Sequence, residues 1–144
     1  MKHLTHVVLF LFAVLFIAAD TRGEKGKADK EKLQGTWIIV SADLDGKPLK
    51  EVIGTTLTVA GDGCEQGKKG DKEYYEGKFK LDESKNPKHI DLAHRFHKMM
   101  AIYAVDGDDL KLSYFVPPNI PKRPSEFVSK QGEKQMLMVM KRKK

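Results

Sequence analysis

Two hydrophobic patterns divide the chain. From Val7 to Ala19 apolar residues run almost unbroken, whereas from Leu33 onward they recur in short alternating stretches set off by Gly, Asp and Pro. Alternation is clearest from Tyr74 to Leu81, where Tyr75, Gly77, Phe79 and Leu81 share one face and Tyr74, Glu76, Lys78 and Lys80 the other. A period of two with one apolar face is the signature of a strand buried on one side and wet on the other. Eight strand-like runs follow from this reading: 36–43, 55–60, a weaker one at 64–68, 74–81, 88–92, 99–105, 110–116 and 135–141. The first carries Ile38, Ile39 and Val40, a β-branched cluster that favours pleated backbone. In 88–92 Ile90 and Leu92 point inward, and in 110–116 Leu110, Leu112 and Tyr114 alternate with Lys111, Ser113 and Phe115.

The connections are short. Asp45-Gly46, Asp62-Gly63 and Asp106-Gly107 are hairpin signals, because tight turns need positive φ, which Gly adopts freely and Asp tolerates. Residues 47–54 form a longer link with room for a helical turn at Leu49–Val52. Pro117, Pro118, Pro121 and Pro124 exclude helix interior and central strand, leaving a stiff crossing loop. No stretch has the length and period of an amphipathic helix able to cover a sheet. The economical architecture is therefore all-β: an antiparallel up-and-down barrel of about eight strands, whose closure leaves no long exposed edge. Trp37, the chain's single tryptophan, heads the first strand two residues after Gly35. A Gly lets another group approach the backbone there, and the indole offers a large apolar surface with one N–H to satisfy.

The apolar run at Val7–Ala19 follows Lys2 and His3 and ends in Ala18-Ala19, the pattern of a secretory signal peptide over residues 1–19. Thr21-Arg22-Gly23 offers a second exit. As an uncleaved helix the run would span only ~20 Å, short of the ~30 Å hydrocarbon core. The expected location is secreted or periplasmic, with no stable membrane span after cleavage. Residues 20–32 are dense in charge and lack apolar periodicity, and read as a flexible charged spacer or a single helical turn before a barrel domain at 33–144. The net charge of +6 falls to +5 once Lys2 leaves with the signal. Basic and acidic residues are interleaved, which argues against nucleic acid and favours at most an anionic component of the cell envelope. Lys141-Arg142-Lys143-Lys144 would make that contact. Cys64 is the one cysteine, so no internal disulfide forms, and a buried inert thiol is the simplest expectation.

Candidate chemistry is sparse. His89, His94 and His97 with Asp91 have the residue types of a metal site, but odd spacing in a strand splits them between faces, so no metal is expected. Asp43-Asp45-Gly46 and Asp106-Asp108-Asp109 resemble calcium loops without the closing Glu and read as turns. No nucleophile elbow, paired-cysteine motif, phosphate loop or zinc-protease helix occurs. Glu73, Glu76 and Asp91 are unpaired in sequence, and neither enzyme activity nor a cofactor is expected. Along 135–141, Met136, Met138 and Met140 alternate with Leu137 and Val139. One set must face inward and the other must be covered; methionines inside would pack a core or adapt to a variable guest.

Leu33-Gln34-Gly35-Thr36-Trp37, Asp45-Gly46-Lys47-Pro48-Leu49, Ser84-Lys85-Asn86-Pro87-Lys88 leading into Ile90-Asp91-Leu92, Tyr103 before Asp106-Gly107-Asp108, and Arg123-Pro124-Ser125-Glu126-Phe127 occur in that order. Together they resemble a paralogous family of exported domains from planctomycete bacteria, over residues 33–142. The resemblance implies an exported lipocalin-like barrel of uncharacterised biochemical function. More distantly, Gly35-Thr36-Trp37 is similar to the lipocalin Gly-x-Trp signature, in which a basic residue of the last strand stacks on the indole. Arg142 or Lys141 would take that place, making Gly35, Trp37 and Arg142 structural. The shortness of the domain argues against a deep cup.

The function expected from all this is non-enzymatic binding of a small hydrophobic ligand near Trp37, Tyr75, Phe79, Tyr103, Leu112 and Tyr114. That expectation requires an interior pocket above roughly 300 Å³. The alternative is a filled barrel working through its outer surface, by the 117–124 loop and the basic tail, as a cell-envelope interaction module.

Overall fold

A computed structural model describes residues 28–72 and 74–144. The segment read as a signal peptide, residues 20–27 and Glu73 lie outside the described residues. A short helix α1 (Asp29–Leu33) precedes nine strands: β1 (Gly35–Leu44), β2 (Lys47–Pro48), β3 (Thr56–Ala60), β4 (Gly63–Gln66), β5 (Tyr75–Asp82), β6 (Lys88–Ala93), β7 (Lys98–Asp106), β8 (Asp109–Phe115) and β9 (Gln135–Arg142). Strands β1 and β3 to β9 pair antiparallel in chain order, and β9 returns to β1, closing an eight-stranded up-and-down barrel. The two-residue β2 folds back on the end of β1 as an extra strand. All eight expected runs are strands, with ends moved by at most two residues. The expected turn in 47–54 is a 3-10 turn at Lys50–Val52.

The turns show how backbone chemistry sets register. Asp45 and Gly46 both have positive φ, so the β1–β2 link is a type I′ turn. The β3–β4 hairpin differs from expectation by one residue: Ala60 pairs with Gly63, and Gly61, not Gly63, carries the positive φ. A positive φ at the first of two central residues is the type II′ arrangement, and Gly107 repeats it between β7 and β8.

Inside and outside follow the alternation with one phase change. Trp37 and Ile39 face in, a β-bulge at Val40 shifts the pairing with β9, and Ala42 is then the buried residue. A bulge adds one residue to one strand, so Val40 and Ser41 both lie outside and Ala42, which strict alternation would put outside, turns inward. Met136, Met138 and Met140 point into the core, while Leu137 and Val139 are half-buried outside.

The outer face of β7 and β8 carries a second packed layer. Ile102, Ser113 and Phe115 point away from the interior yet are buried, because residues 116–134 cross over them. Arg123 anchors this strap, pairing with Asp91 and donating to Ala101 O at 2.6 Å. Gln135 Nε2 donates to Ser113 Oγ and Glu126 O, and Ser113 Oγ donates to Met136 O. The polar atoms buried under the strap are thus paired, the condition for burying them at little cost.

Candidate functional site

Antiparallel order gathers α1, the β3–β4 and β7–β8 turns, the β5–β6 loop and the C-terminus at one end of the barrel. Trp37 seals this end with no solvent exposure. Its register partner is Arg142, whose guanidinium lies 4.2 Å from the indole centroid. Such a stack contributes about 0.5–2 kcal/mol. The guanidinium also donates to Gln34 O and Lys32 O, both at 2.7 Å, and Trp37 Nε1 donates to Leu33 O at 2.9 Å. The last carbonyls of a helix lack intrahelical partners and carry partial negative charge, so a cation and an indole N–H are suitable caps. Gly35 makes room: its φ is +115°, and an added Cβ would stand 3.1 Å from Arg142 Nη1. Of the two candidates for the stack, Arg142 fills the role and Lys141 pairs with Asp109 instead.

A second lock sits beside this one. Asp29, at the start of α1, is 1% exposed. Its carboxylate accepts from Lys88 Nζ at 2.6 Å and Tyr103 Oη at 2.8 Å, with Lys32 Nζ at 3.4 Å. Burial alone would raise the Asp29 pKa, but the hydrogen bonds from Lys88 and Tyr103 and the Lys88 charge outweigh it and hold the carboxyl below its ordinary value. Asp29–Leu33 is the single helical turn that was the alternative to a flexible spacer at this end of residues 20–32. Sequence reasoning missed Asp29 because an acid inside a charged run looks solvated; Leu33, four residues on, is the one hint that the turn has a buried side.

Above this floor lies a cavity of about 190 Å³. Leu33 lines it from the floor, and Leu57, Val59, Phe79, Ile90, Leu92, Leu110 and Leu112 make an apolar wall with Cys64, Gln66, Tyr75, Met99, Tyr103 and Tyr114. Of the six residues expected to surround a ligand, Tyr75, Phe79, Tyr103, Leu112 and Tyr114 line the cavity and Trp37 does not. The indole is consumed by the floor. The volume is also below the roughly 300 Å³ set as an expectation. Met136, Met138 and Met140 account for part of the difference: they fill the core and none lines the cavity.

The polar groups of the wall are neutral. Burial pushes the Cys64 thiol up to about 11 and the Tyr114 phenol up to about 12. Burial likewise raises Tyr75, with Cys64 and Tyr114 adding to it, and raises Tyr103, with the Asp29 charge adding to it. Tyr103 spends its hydroxyl on Asp29 and offers the cavity only its ring.

The remaining candidates separate. Asp91 is held by Arg123 and Lys98, and no three His, Cys, Asp or Glu side chains converge on a metal geometry among the described residues. His94 and His97 stack at 6.2 Å in the β6–β7 loop, with His94 against Tyr75 at 5.2 Å. Asp45 accepts from Gly132 N and Lys134 N rather than closing a cation loop. Lys141, Arg142 and Lys144 of the basic tail ion-pair with Asp108 and Asp109. No described helix is long and apolar enough to cross a membrane. Comparison with family models, with curated proteins and with solved structures finds no match to this chain.

Proposed function

We propose that this is an exported, non-enzymatic barrel that binds one small apolar molecule in its interior. The observation that carries this reading is the cavity: about 190 Å³ of space inside a closed barrel, lined mostly by apolar side chains, with Gln66, Cys64 and three tyrosines among them and no charged one. A well-packed interior has few voids larger than a water molecule, so space on this scale is a departure from filled core. An engineered apolar cavity of about 150 Å³ stays dry and takes up benzene, which fixes the scale of a fitting guest at about one ring. Larger ligands, which need roughly 300 Å³ or more, do not fit without rearrangement. Export rests on the signal-like residues 1–19 and on the resemblance to planctomycete exported domains, with which a lipocalin-like barrel agrees.

The test is native mass spectrometry of the protein exported from its own host. The expected result is a single co-purifying small molecule released on denaturation. Unliganded protein that also fails to take up toluene sinks the reading.

A further inference from the structure

Tyr75 lines the cavity, and its hydroxyl, turned down onto Gly77, is a buried polar atom that the protein leaves without a partner. Tyr75 Oη is sealed from water and makes no hydrogen bond, and among the described residues it is alone in this. Native interiors pair the large majority of such groups, and an orphan calls for an explanation: strain, a chemical role, or a partner that comes from outside the protein.

The sequence builds this position. Tyr75 and Gly77 are two apart on β5, so they share the inner face, and the ring leans along the strand over the glycine. A Cβ built on Gly77 would stand 2.6 Å from Tyr75 Oη and 2.5 Å from Ala93 O. Only glycine leaves space for the phenol end there. Register sets Cys64 opposite Gly77, and Tyr114 also stands on the cavity wall. No Lys, Arg, His, Asp or Glu lines the cavity.

Building on the reading of this cavity as a ligand site, we propose that its guest is a small neutral molecule with one oxygen, and that the Tyr75 hydroxyl donates to that oxygen. The apolar wall takes the ring or short chain of the guest. The oxygen meets the hydroxyl as the phenol tilts off Gly77, which has no side chain to hold it. An anionic guest is excluded, because a carboxylate would be buried with no cation to pair it.

Three probes of matched size test this on the exported protein by titration calorimetry: toluene, p-cresol and 4-methylbenzoate. Toluene binds wild type and Tyr75→Phe alike. The ratio of p-cresol to toluene affinity falls roughly three- to tenfold in Tyr75→Phe, the loss of one hydrogen bond, and is unchanged in Tyr114→Phe. 4-Methylbenzoate does not bind. A ratio that ignores Tyr75→Phe, a ratio that responds only to Tyr114→Phe, or 4-methylbenzoate binding more tightly than p-cresol overturns the assignment while leaving the apolar cavity reading in place. Failure of both toluene and p-cresol to bind wild type removes the cavity reading and this inference together.

Discussion

Tyr103 and Tyr75 line the same cavity from opposite ends of the barrel's logic. Tyr103 stands at the sealed end and gives its hydroxyl to Asp29 at 2.8 Å, inside a network that also holds Lys88 and Lys32. Tyr75 begins β5 at the loop end and gives its hydroxyl to nothing. The difference separates the groups that keep the barrel shut from the one that the proposed guest would meet. At the sealed end, polar groups are matched and the large side chains are consumed by structure. On the wall by Gly77, a donor is kept without use. Substitutions should therefore have opposite signs at the two places.

The largest effect is expected at the indole. Trp37→Ala removes a fully buried ring, the surface on which Arg142 stacks and the donor to Leu33 O. Truncating a buried Trp to Ala typically costs about 3–5 kcal/mol, a large fraction of the ~5–15 kcal/mol that holds a small domain folded. Urea denaturation at neutral pH should show a midpoint lowered by that amount or a chain that no longer folds. A loss under about 1 kcal/mol would mean that the sealed end is not where stability is concentrated.

Next comes Asp29→Asn, which removes the charge that Lys88 and Lys32 face while keeping the shape. The expected loss at pH 7 is about 1–3 kcal/mol, the scale for a buried charge-assisted hydrogen bond. Its pH dependence is the sharper measurement. The folded carboxyl titrates below its ordinary value, so its contribution is complete above the unfolded pKa of about 3.9 and disappears as pH falls through the lower folded value. The stability gap between wild type and Asp29→Asn should hold from neutral pH to about 5 and close below about 4. Asp45 and Asp91 are also held low and weaken both proteins in acid, which is why the gap carries the information. A gap that widens on acidification would contradict the network.

Alternation and turn chemistry made the barrel legible: one buried face per strand, with glycine-bearing turns between, leaves few other arrangements, although two of the three turns centre on Gly-Asp, one residue from the Asp-Gly pairs that signalled them. The pair Gly35 and Trp37 was legible as well, and the cation over the indole was anticipated through the resemblance to the lipocalin Gly-x-Trp signature, which left Arg142 and Lys141 both open. What sequence could not supply was depth. The same period of two places Trp37, Phe79 and Met138 inside, but only three dimensions tell that the indole and the methionines fill space and the phenyl ring borders it. Nor does alternation see a bulge: a period of two from Trp37 and Ile39 puts Ala42 outside, and it is buried. Ser113 and Phe115 were read as the outward face, which they are; their burial comes from residues 116–134, a segment without periodicity. The Tyr75-x-Gly77 pair was visible, yet its meaning depends on a ring lying over a glycine.

The smallest expected effect is the most pointed. Tyr75→Phe keeps the ring against Gly77 and His94 and removes only a hydroxyl that has no partner. A buried unsatisfied polar group costs about 1–3 kcal/mol, so its removal should leave the empty protein as stable as wild type or raise it by about 1 kcal/mol. Tyr103→Phe, the same chemical change at the sealed end, should lower stability by about 1–3 kcal/mol, because it strips a donor from the buried Asp29 carboxylate. Two thermal denaturation curves on unliganded protein decide the matter. If both phenylalanines destabilise alike, the Tyr75 hydroxyl has a partner in solution and the two ends of the cavity do not differ as argued. If only Tyr103→Phe does, the hydroxyl over Gly77 contributes nothing to the empty fold, as its proposed role toward a guest requires.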